Sequence, residues 1–238
     1  MWLLILICAA PISTARAQVI ISLLFGDALN SEELMFGLHL NYTQSRLTNL
    51  EGAENLGGVK AALWFNYKLN DRISFTSELV PPFFFGAKGL PPYPLEDPTL
   101  DAQFAAGSVE RKIQLTGMTA LAQYRVWDYI RIEAGPELYL RTKAIDVFKA
   151  ESPSGDLELE RDIKDQTATF ESGVALGATY QLGKGTGMFL GFRYYWGLTD
   201  VLTEDTGNQQ FRMWQITSGI PVGRKKKLAK NADAANPD

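Results

Sequence analysis

Apolar and polar residues alternate along most of the chain, which is the pattern of β-strands that have one apolar and one polar face. In the first such segment, Leu38 and Leu40 alternate with His39 and Asn41. Six segments alternate clearly, whereas the fourth and the eighth are extended but leave their register open. The eight predicted strands span residues 34–45, 58–68, 72–80, 111–124, 130–141, 168–182, 188–198 and 210–222. The pattern therefore predicts an all-β fold.

The connections between these segments are of two kinds. The short ones cover residues 69–71, 126–128 and 183–186. The long, polar ones cover residues 46–56, 87–109, 145–166 and 199–208. An even number of strands with short turns at one end and long loops at the other is typical of outer-membrane barrels. We therefore predict an eight-stranded antiparallel up-and-down transmembrane β-barrel, with the short turns and both chain ends in the periplasm and the long loops outside.

Charged residues occur in the middle of the predicted strands, on their polar faces. They are Lys60, Glu78, Arg131, Glu133, Glu137, Arg141, Glu171 and Arg193. Since an Arg or Lys that faces lipid at the bilayer midplane costs roughly 2–4 kcal/mol, we expect these residues to face the lumen. The interior of an eight-stranded barrel is just wide enough for side chains to fill, so the lumen is predicted to be a salt-bridged core without an open channel. A soluble lipocalin-like barrel, with the two faces reversed, is the structural alternative.

Residues 1–17 are predicted to be a secretory signal peptide, because an apolar stretch is followed by a small-x-small site at Ala15 to Ala17. The single cysteine, Cys8, lies inside this segment, so we expect no disulfide in the mature chain. No run of eighteen apolar residues follows, which argues against ordinary membrane-spanning helices. The predicted barrel domain covers residues 18–223, and a polar, basic tail covers residues 224–238.

Three stretches carry a family resemblance. They are Phe25 to Ser31, Asp97 to Asp101 and Gly191 to Asp200. In these stretches the chain resembles the outer-membrane β-barrel proteins of Bacteroidetes-type bacteria, often labelled porin-family or PorT-like. The resemblance implies an eight-stranded barrel in the cell outer membrane with periplasmic termini, and it implies no known catalytic residues.

Two groups of residues are candidates for a catalytic site or a metal site. His39, the only histidine, together with Ser45 and Glu171 is a candidate set for acyl transfer, as in some lipid-modifying barrels. We favour a simpler role for His39, as a hydrogen-bonded residue in a polar lumen. The acidic loop 145–166 offers oxygen ligands for Ca²⁺ or Mg²⁺, but its spacing does not match a calcium loop, so a solvated loop is favoured. We expect no metal, no cofactor and no enzymatic activity.

The formal net charge of −4 and the lack of a basic stripe give no reason to expect nucleic-acid binding. The expected partners are outer-membrane lipid and an envelope protein that contacts the long loops 87–109 and 145–166. We expect a monomer that acts as a structural or surface-interaction protein. A narrow porin for small solutes is the first alternative, and a lipid-modifying enzyme is the second.

Overall fold

Nine β-strands, one α-helix and one 3₁₀ turn make up the described part of the chain in a computed structural model. The structure describes residues 33–152, 155–183, 187–203 and 207–222. The predicted signal peptide and the predicted basic tail both lie outside these ranges. Within them, no helix is long and apolar enough to cross a membrane. The elements are β1 (Leu34–Leu47), β2 (Glu54–Lys68), β3 (Ile73–Leu90), α1 (Pro98–Phe104), β4 (Ser108–Arg125), β5 (Ile130–Ser152), β6 (Gly155–Asp162), the 3₁₀ turn (Lys164–Gln166), β7 (Phe170–Gln181), β8 (Phe189–Gly197) and β9 (Phe211–Pro221).

Eight of these strands close into a ring of antiparallel pairs, in the order β1, β2, β3, β4, β5, β7, β8 and β9. The ring closes between β1 and β9, where the paired residues run from Gly37 opposite Pro221 to Leu47 opposite Phe211. Each strand of the ring pairs with the ring strands that come before and after it in the sequence, and the first pairs with the last. The predicted eight-stranded up-and-down barrel is therefore confirmed. The ninth strand, β6, stands outside the ring and pairs with the outer end of β5.

Two of the three predicted short connections, between β2 and β3 and between β4 and β5, lie at one end of the barrel, together with the start of β1 and the end of β9. Residues 184–186 of the third predicted short connection lie outside the described residues. The turn between β2 and β3 shows how a short connection is closed. The side-chain oxygen of Asn70 accepts hydrogen bonds from the backbone N–H groups of Arg72 and Ile73, at 2.8 and 2.9 Å. Asparagine favours such turns because its side chain can satisfy backbone donors two or three residues further on.

The prediction that residues 145–166 form a long loop is wrong. Strand β5 continues to Ser152 and pairs with β6 in a β-hairpin that extends beyond the ring. The charged residues that suggested a solvated loop form pairs across this hairpin, as Lys149 Nζ does with Glu158 Oε1 at 3.5 Å. Opposite charges on facing residues stabilise such a ladder, so a high density of charge is compatible with strands here.

The connection between β3 and β4 is also shorter than predicted. Strand β3 ends at Leu90 and β4 begins at Ser108, so the predicted loop 87–109 reduces to residues 91–107. This connection contains α1. Part of the outer end of the barrel is therefore built from regular structure.

Large apolar side chains cover the outside of the ring. Each ring strand contributes at least one exposed example: Leu40, Val59, Phe75, Met118, Leu138, Val174, Phe192 and Ile216. Buried polar and charged side chains face the lumen instead. This arrangement is the reverse of a soluble barrel, which buries its apolar face. It is the arrangement of a barrel whose outer wall meets lipid.

Two glycines let aromatic rings lie directly against the inner wall. A Cβ atom on Gly173 would lie 2.5 Å from the ring of Tyr195, and one on Gly37 would lie 2.7 Å from the indole of Trp64. Since real Cβ atoms do not approach other atoms that closely, a side chain at either position would displace the ring. At each of these two positions, a glycine and an aromatic ring thus form a matched pair that fills the lumen.

Candidate functional site

Six titratable side chains, which we call the inner cluster, fill the half of the lumen nearer the short turns. They are His39, Lys60, Glu78, Glu133, Glu137 and Arg193. Arg193 lies at the centre. Its guanidinium nitrogens lie 2.7 Å from Glu78 Oε1, 2.8 Å from Glu133 Oε1 and 3.7 Å from Glu137 Oε1. All six side chains have an exposed fraction of 2% or less, so the cluster closes this half of the lumen to solvent.

The remaining members of the inner cluster balance its charge. His39 Nδ1 lies 3.1 Å from Glu78 Oε1, and Lys60 Nζ lies 5.6 Å from the ring centroid of Phe83. Gln123 adds a neutral contact, donating through Nε2 to Glu133 Oε2 at 2.9 Å. Three carboxyl groups therefore share the space with one guanidinium, one amine and one imidazole, and opposite charges placed close together limit the electrostatic cost of burying them.

The other three predicted lumen charges lie elsewhere in the barrel. Glu171 is buried and accepts a hydrogen bond from the Tyr195 hydroxyl at 2.7 Å. It forms no ion pair with Arg193. Arg141 is half-buried, and its guanidinium donates to the carbonyl oxygens of Lys164 and Thr167. Arg131 is half-buried near the start of β5, close to a short turn, and lies opposite Arg125 on β4. The structure thus brings five of the eight predicted charges into one cluster.

Above the inner cluster the lumen is filled by aromatic rings, which we call the aromatic plug. Its members are Phe83, Phe85, Tyr139, Tyr195 and Phe211. Phe85 is fully buried at its centre, with ring centroids 4.5 Å from Phe83, 5.5 Å from Tyr139 and 5.1 Å from Phe211. The Tyr139 hydroxyl donates to Glu137 Oε2 at 2.5 Å and so joins the plug to the inner cluster. The lumen consequently has two layers, one ionic and one apolar.

Sequence reasoning missed Phe83 and Phe85 because it ended the third strand at residue 80, whereas β3 continues to Leu90 through a β-bulge that reverses its alternation. The register of β3 against β4 shifts between Val80 and Phe83, at the pair Pro81-Pro82. Even-numbered residues such as Glu78 face inward before the bulge, and odd-numbered residues face inward after it. A bulge of this kind re-aims the side chains that follow it, here as far as the second register shift, between Ala87 and Leu90. The two adjacent prolines were a signal for it, since proline in a strand is often found at bulges.

The candidate acyl-transfer residues are not assembled into a site. His39 and Ser45 both lie on β1, and six residues of strand separate them by about 20 Å. Ser45 Oγ donates to the carbonyl of Gly86 at 3.2 Å, and the carboxylate beside His39 belongs to Glu78. Glu171 contacts Tyr195 instead. No nucleophile, base and acid from the predicted set therefore share a reaction centre.

The outer end of the barrel carries a polar anchor. The Arg111 guanidinium binds the Asp146 carboxylate at 2.8 and 2.6 Å, and the Tyr93 hydroxyl donates to Asp146 Oδ2 at 2.9 Å. Burial, followed by the negative charge of Asp146, raises the pKa of the Tyr93 phenol to about 12. Arg161 of β6 adds its cation 5.3 Å from the Tyr93 ring centroid. These contacts fasten the connection 91–107 to the β5–β6 hairpin.

The helix in this connection is fixed at both ends. Asp97 accepts hydrogen bonds from the N–H groups of Thr99 and Leu100 and so caps the start of α1. At the other end, Phe104 is buried against the ring of Phe148 on β5, with centroids 5.9 Å apart. We call the connection 91–107 and the β5–β6 hairpin together the outer cap. It is a packed surface, not a set of solvated loops.

The structure shows no metal centre in the regions it describes. Across residues 33–152, 155–183, 187–203 and 207–222, no group of three or more His, Cys, Asp or Glu side chains is arranged to hold an ion. The acidic residues of the outer cap are drawn into ion pairs instead. Glu160, for instance, lies 3.4 Å from Lys143, and Glu158 lies 3.5 Å from Lys149.

Comparison with known proteins yields structural likenesses alone. No protein-family model matches the chain, and no curated protein sequence matches it. The attachment invasion locus protein Ail of Yersinia pestis is 12% identical, with 80% of this chain and 99% of Ail covered and a TM-score of 0.43. Neisserial surface protein A is 14% identical, with 81% and 99% covered and a TM-score of 0.40. The outer-membrane protein OprG of Pseudomonas aeruginosa is 11% identical, with 79% and 94% covered and a TM-score of 0.36.

These likenesses are distant, so the assignment of the fold depends on the chain's own geometry. The ring of eight antiparallel strands is closed, its outer wall is apolar, and its interior holds buried charges. Short turns gather at one end and the outer cap at the other. Together these features identify a transmembrane β-barrel of the outer-membrane type.

Proposed function

We propose that this protein is a small monomeric outer-membrane barrel with a closed lumen that presents the outer cap at the cell surface as a structural or surface-interaction protein. The observation that carries the proposal is the burial of the lumen in two successive layers. Arg193 and Phe85, at the centres of those layers, have exposed fractions of 1% and 0%. A continuous water-filled channel would leave its lining side chains accessible.

The strand number supports a closed lumen as well. Barrels that carry an aqueous channel commonly have sixteen or more strands, whereas eight strands enclose only enough space for side chains. Here that space holds large side chains, among them Trp64, Tyr139 and Tyr195, which are almost completely buried. A narrow porin would require both the inner cluster and the aromatic plug to move aside.

The outer cap supports an interaction role. It combines the longest connection outside the strands, residues 91–107, with an extra hairpin that the closed ring does not need. Long connections in compact domains are often functional. The Tyr93–Asp146–Arg111 contacts hold this surface in one conformation, which lowers the entropic cost of binding a partner. The proposed partner is an envelope or surface protein.

The same proposal treats the protein as a non-enzyme and as a relative of the PorT-like barrels. The separation of His39, Ser45 and Glu171 speaks against an acyl-transfer site. The resemblance to the PorT-like barrels in the stretch Gly191 to Asp200 supports the family placement. That stretch includes Arg193 and Tyr195, one residue from each layer of the lumen.

Planar-bilayer recording tests the closed lumen. We expect the purified, heat-modifiable barrel to give no steady single-channel currents. The variant Phe85→Ala removes the centre of the aromatic plug and should remain silent, because the inner cluster still blocks the path. Steady currents from the unsubstituted protein would favour the porin alternative. A lipid A mass spectrum that changes on expression and reverts with His39→Ala would favour the enzyme alternative.

Cysteine labelling tests the orientation. Gln103→Cys places a thiol on the exposed face of α1, and Asp128→Cys places one in a short turn. A membrane-impermeant maleimide should label the first variant in intact cells and the second only after the outer membrane is permeabilised. Labelling in the opposite order, or of neither variant in the membrane fraction, would contradict the proposed placement.

A further inference from the structure

Two arginines face outward side by side on the barrel wall, above the apolar belt. Arg46 on β1 and Arg212 on β9 are direct partners in the register of these strands. Both line a shallow depression of about 230 Å³ on the outside of the barrel. Its other lining residues are Gln44, Asn55, Tyr194 and Trp214. We call this surface the arginine pair.

The arrangement is unfavourable without a counter-charge. Side chains of directly opposite residues have Cβ atoms about 5 Å apart, and like charges at that spacing destabilise a strand pair. Among the residues that the structure describes, no carboxylate lies within ion-pair distance of Arg46 or Arg212. The buried carboxylate of Glu171 attracts Arg212 from a greater distance, and Arg46 has no such partner among these ion pairs. Arg212 is held in place, since its guanidinium donates to the Gly197 carbonyl at 2.9 Å and to Gln210 Oε1 at 2.9 Å. Bound anionic oxygen would relieve the repulsion.

The position of the arginine pair along the barrel wall indicates where such an anion lies. Side chains that point outward at the same height on neighbouring strands form a row around the barrel. The next row toward the membrane centre contains Tyr194 and Trp214, and the row after that contains Tyr42 and Phe192. Trp214 stacks with Phe192 and makes an edge contact with Tyr42. Aromatic side chains of this kind mark the membrane–water interface. Each row adds about 7 Å along the strand, so the guanidinium groups stand at the depth of lipid headgroups.

We propose that the arginine pair binds a phosphate group on the headgroup of a phosphorylated glycolipid in the outer leaflet, whose acyl chains pack on the apolar wall below. Planar guanidinium groups bind phosphate oxygens through paired, charge-assisted hydrogen bonds. Gln44 and Asn55 offer neutral donors for the sugar hydroxyls at the same level. The choice of lipid leaflet rests on the orientation proposed above.

The apolar wall below the arginine pair fits acyl chains better than a folded protein partner. Its exposed residues Leu40, Ile216 and Leu190 continue in line toward the membrane centre on β1, β9 and β8. A protein bound at the outer cap would not reach this depth without entering the bilayer. A lipid has its charged group and its hydrocarbon in the required order.

Native mass spectrometry of the folded barrel in detergent, titrated with purified lipid A, tests the proposal. We expect Arg46→Gln to weaken lipid A binding about tenfold or more, as loss of charge-assisted hydrogen bonds implies. Arg46→Lys should retain part of the affinity. Arg72→Gln is the matched control, because Arg72 is exposed at the short-turn end of the barrel, and it should bind like the unsubstituted protein.

Lipid A without its phosphate groups should bind the unsubstituted protein weakly. Its affinity should be no higher than the affinity of intact lipid A for Arg46→Gln. Equal binding of both lipids, or an unchanged affinity in Arg46→Gln, would overturn the proposal. Inorganic phosphate that bound as tightly as the lipid would also overturn it, in favour of a free-anion site. Heat-modifiability of each variant and the cysteine labelling above report separately on folding and orientation, so a failure of those measurements would count against the proposed function instead.

Discussion

The inner cluster and the outer cap are both held by ion pairs between antiparallel strands, yet water reaches only one of them. Arg193 and its carboxylates are at most 2% exposed, whereas the side chains of Lys143 and Glu160 in the β5–β6 hairpin are 47% and 62% exposed. The same kind of contact therefore has two different consequences. In the lumen it fills and closes the barrel, and in the outer cap it leaves a soluble, charged surface.

The anchor at Asp146 is intermediate between these extremes. Its carboxylate is fully buried, but its partner Arg111 is 10% exposed and Tyr93 belongs to a connection on the surface. The cost of removing one partner of an ion pair rises with the hydration that both groups have lost. The three sites thus form a graded series that substitution can measure within one protein.

Removal of the central cation should have the largest effect. Arg193→Met leaves Glu78, Glu133 and Glu137 buried around an uncharged side chain. We expect the free energy of unfolding to fall by about 3–5 kcal/mol, the usual consequence of leaving a buried charge without its partner. Urea titrations of the barrel in lipid vesicles, followed by tryptophan fluorescence, measure this change.

The control for Arg193→Met is Arg72→Met, which removes the same charge from an exposed turn. The control should leave stability nearly unchanged. A loss below about 1 kcal/mol for Arg193→Met would instead place it among ordinary surface pairs. The buried ion pairs of the inner cluster would then not differ in energy from the exposed ion pairs of the outer cap.

The fold could be predicted from the sequence because successive residues of a transmembrane strand face lipid and lumen in turn, and apolar and polar residues alternate accordingly. Leu38 and Leu40 meet lipid while His39 and Asn41 meet the lumen, so the alternation that the sequence displays is the alternation that the structure uses. The hairpin at β6 could not be predicted in the same way. Beyond the membrane both faces of a strand can be polar, so its charges resemble those of a loop.

The candidate site was predictable only in part, for a related reason. A mid-strand charge such as Lys60 or Glu133 has a high cost in lipid, and this cost alone selects its side of the wall. Phe85 has no such constraint, since an aromatic ring is tolerated on either face. Its direction depends on the bulge at Pro81-Pro82, whose effect on register appears only when β3 is paired with β4.

A smaller and pH-dependent effect is expected at the intermediate anchor. Tyr93→Phe removes the hydrogen bond to Asp146 Oδ2 and should cost about 1.5 kcal/mol near pH 8. The pKa of the Tyr93 phenol is raised from 10.0 to about 12 in the folded protein. Its contribution is therefore fully present below pH 10 and is lost as the pH rises from 10 through 12. The difference in stability between the two proteins should close over that range.

Tyr67→Phe is the matched control for this titration, because Tyr67 is an exposed tyrosine on β2 at the opposite end of the barrel. Its stability difference from the unsubstituted protein should stay small at every pH. Protease cleavage in the connection 91–107 gives a second measure, and it should accelerate in Tyr93→Phe at pH 8. A Tyr93→Phe difference that persists unchanged to pH 12 would show that burial and the charge of Asp146 do not raise the pKa of this phenol.

The smallest effect is expected in the solvated hairpin. Lys143→Met removes a cation from an ion pair just as Arg193→Met does, here from Glu160 at 3.4 Å. Because both groups of an exposed pair remain hydrated, such pairs contribute about 0–1 kcal/mol. The unfolding curve should shift little, and added salt should erase what shift there is. If Lys143→Met proved as costly as Arg193→Met, loss of hydration could not be what separates the two regions, and the hairpin would have to be a rigid extension of the barrel wall.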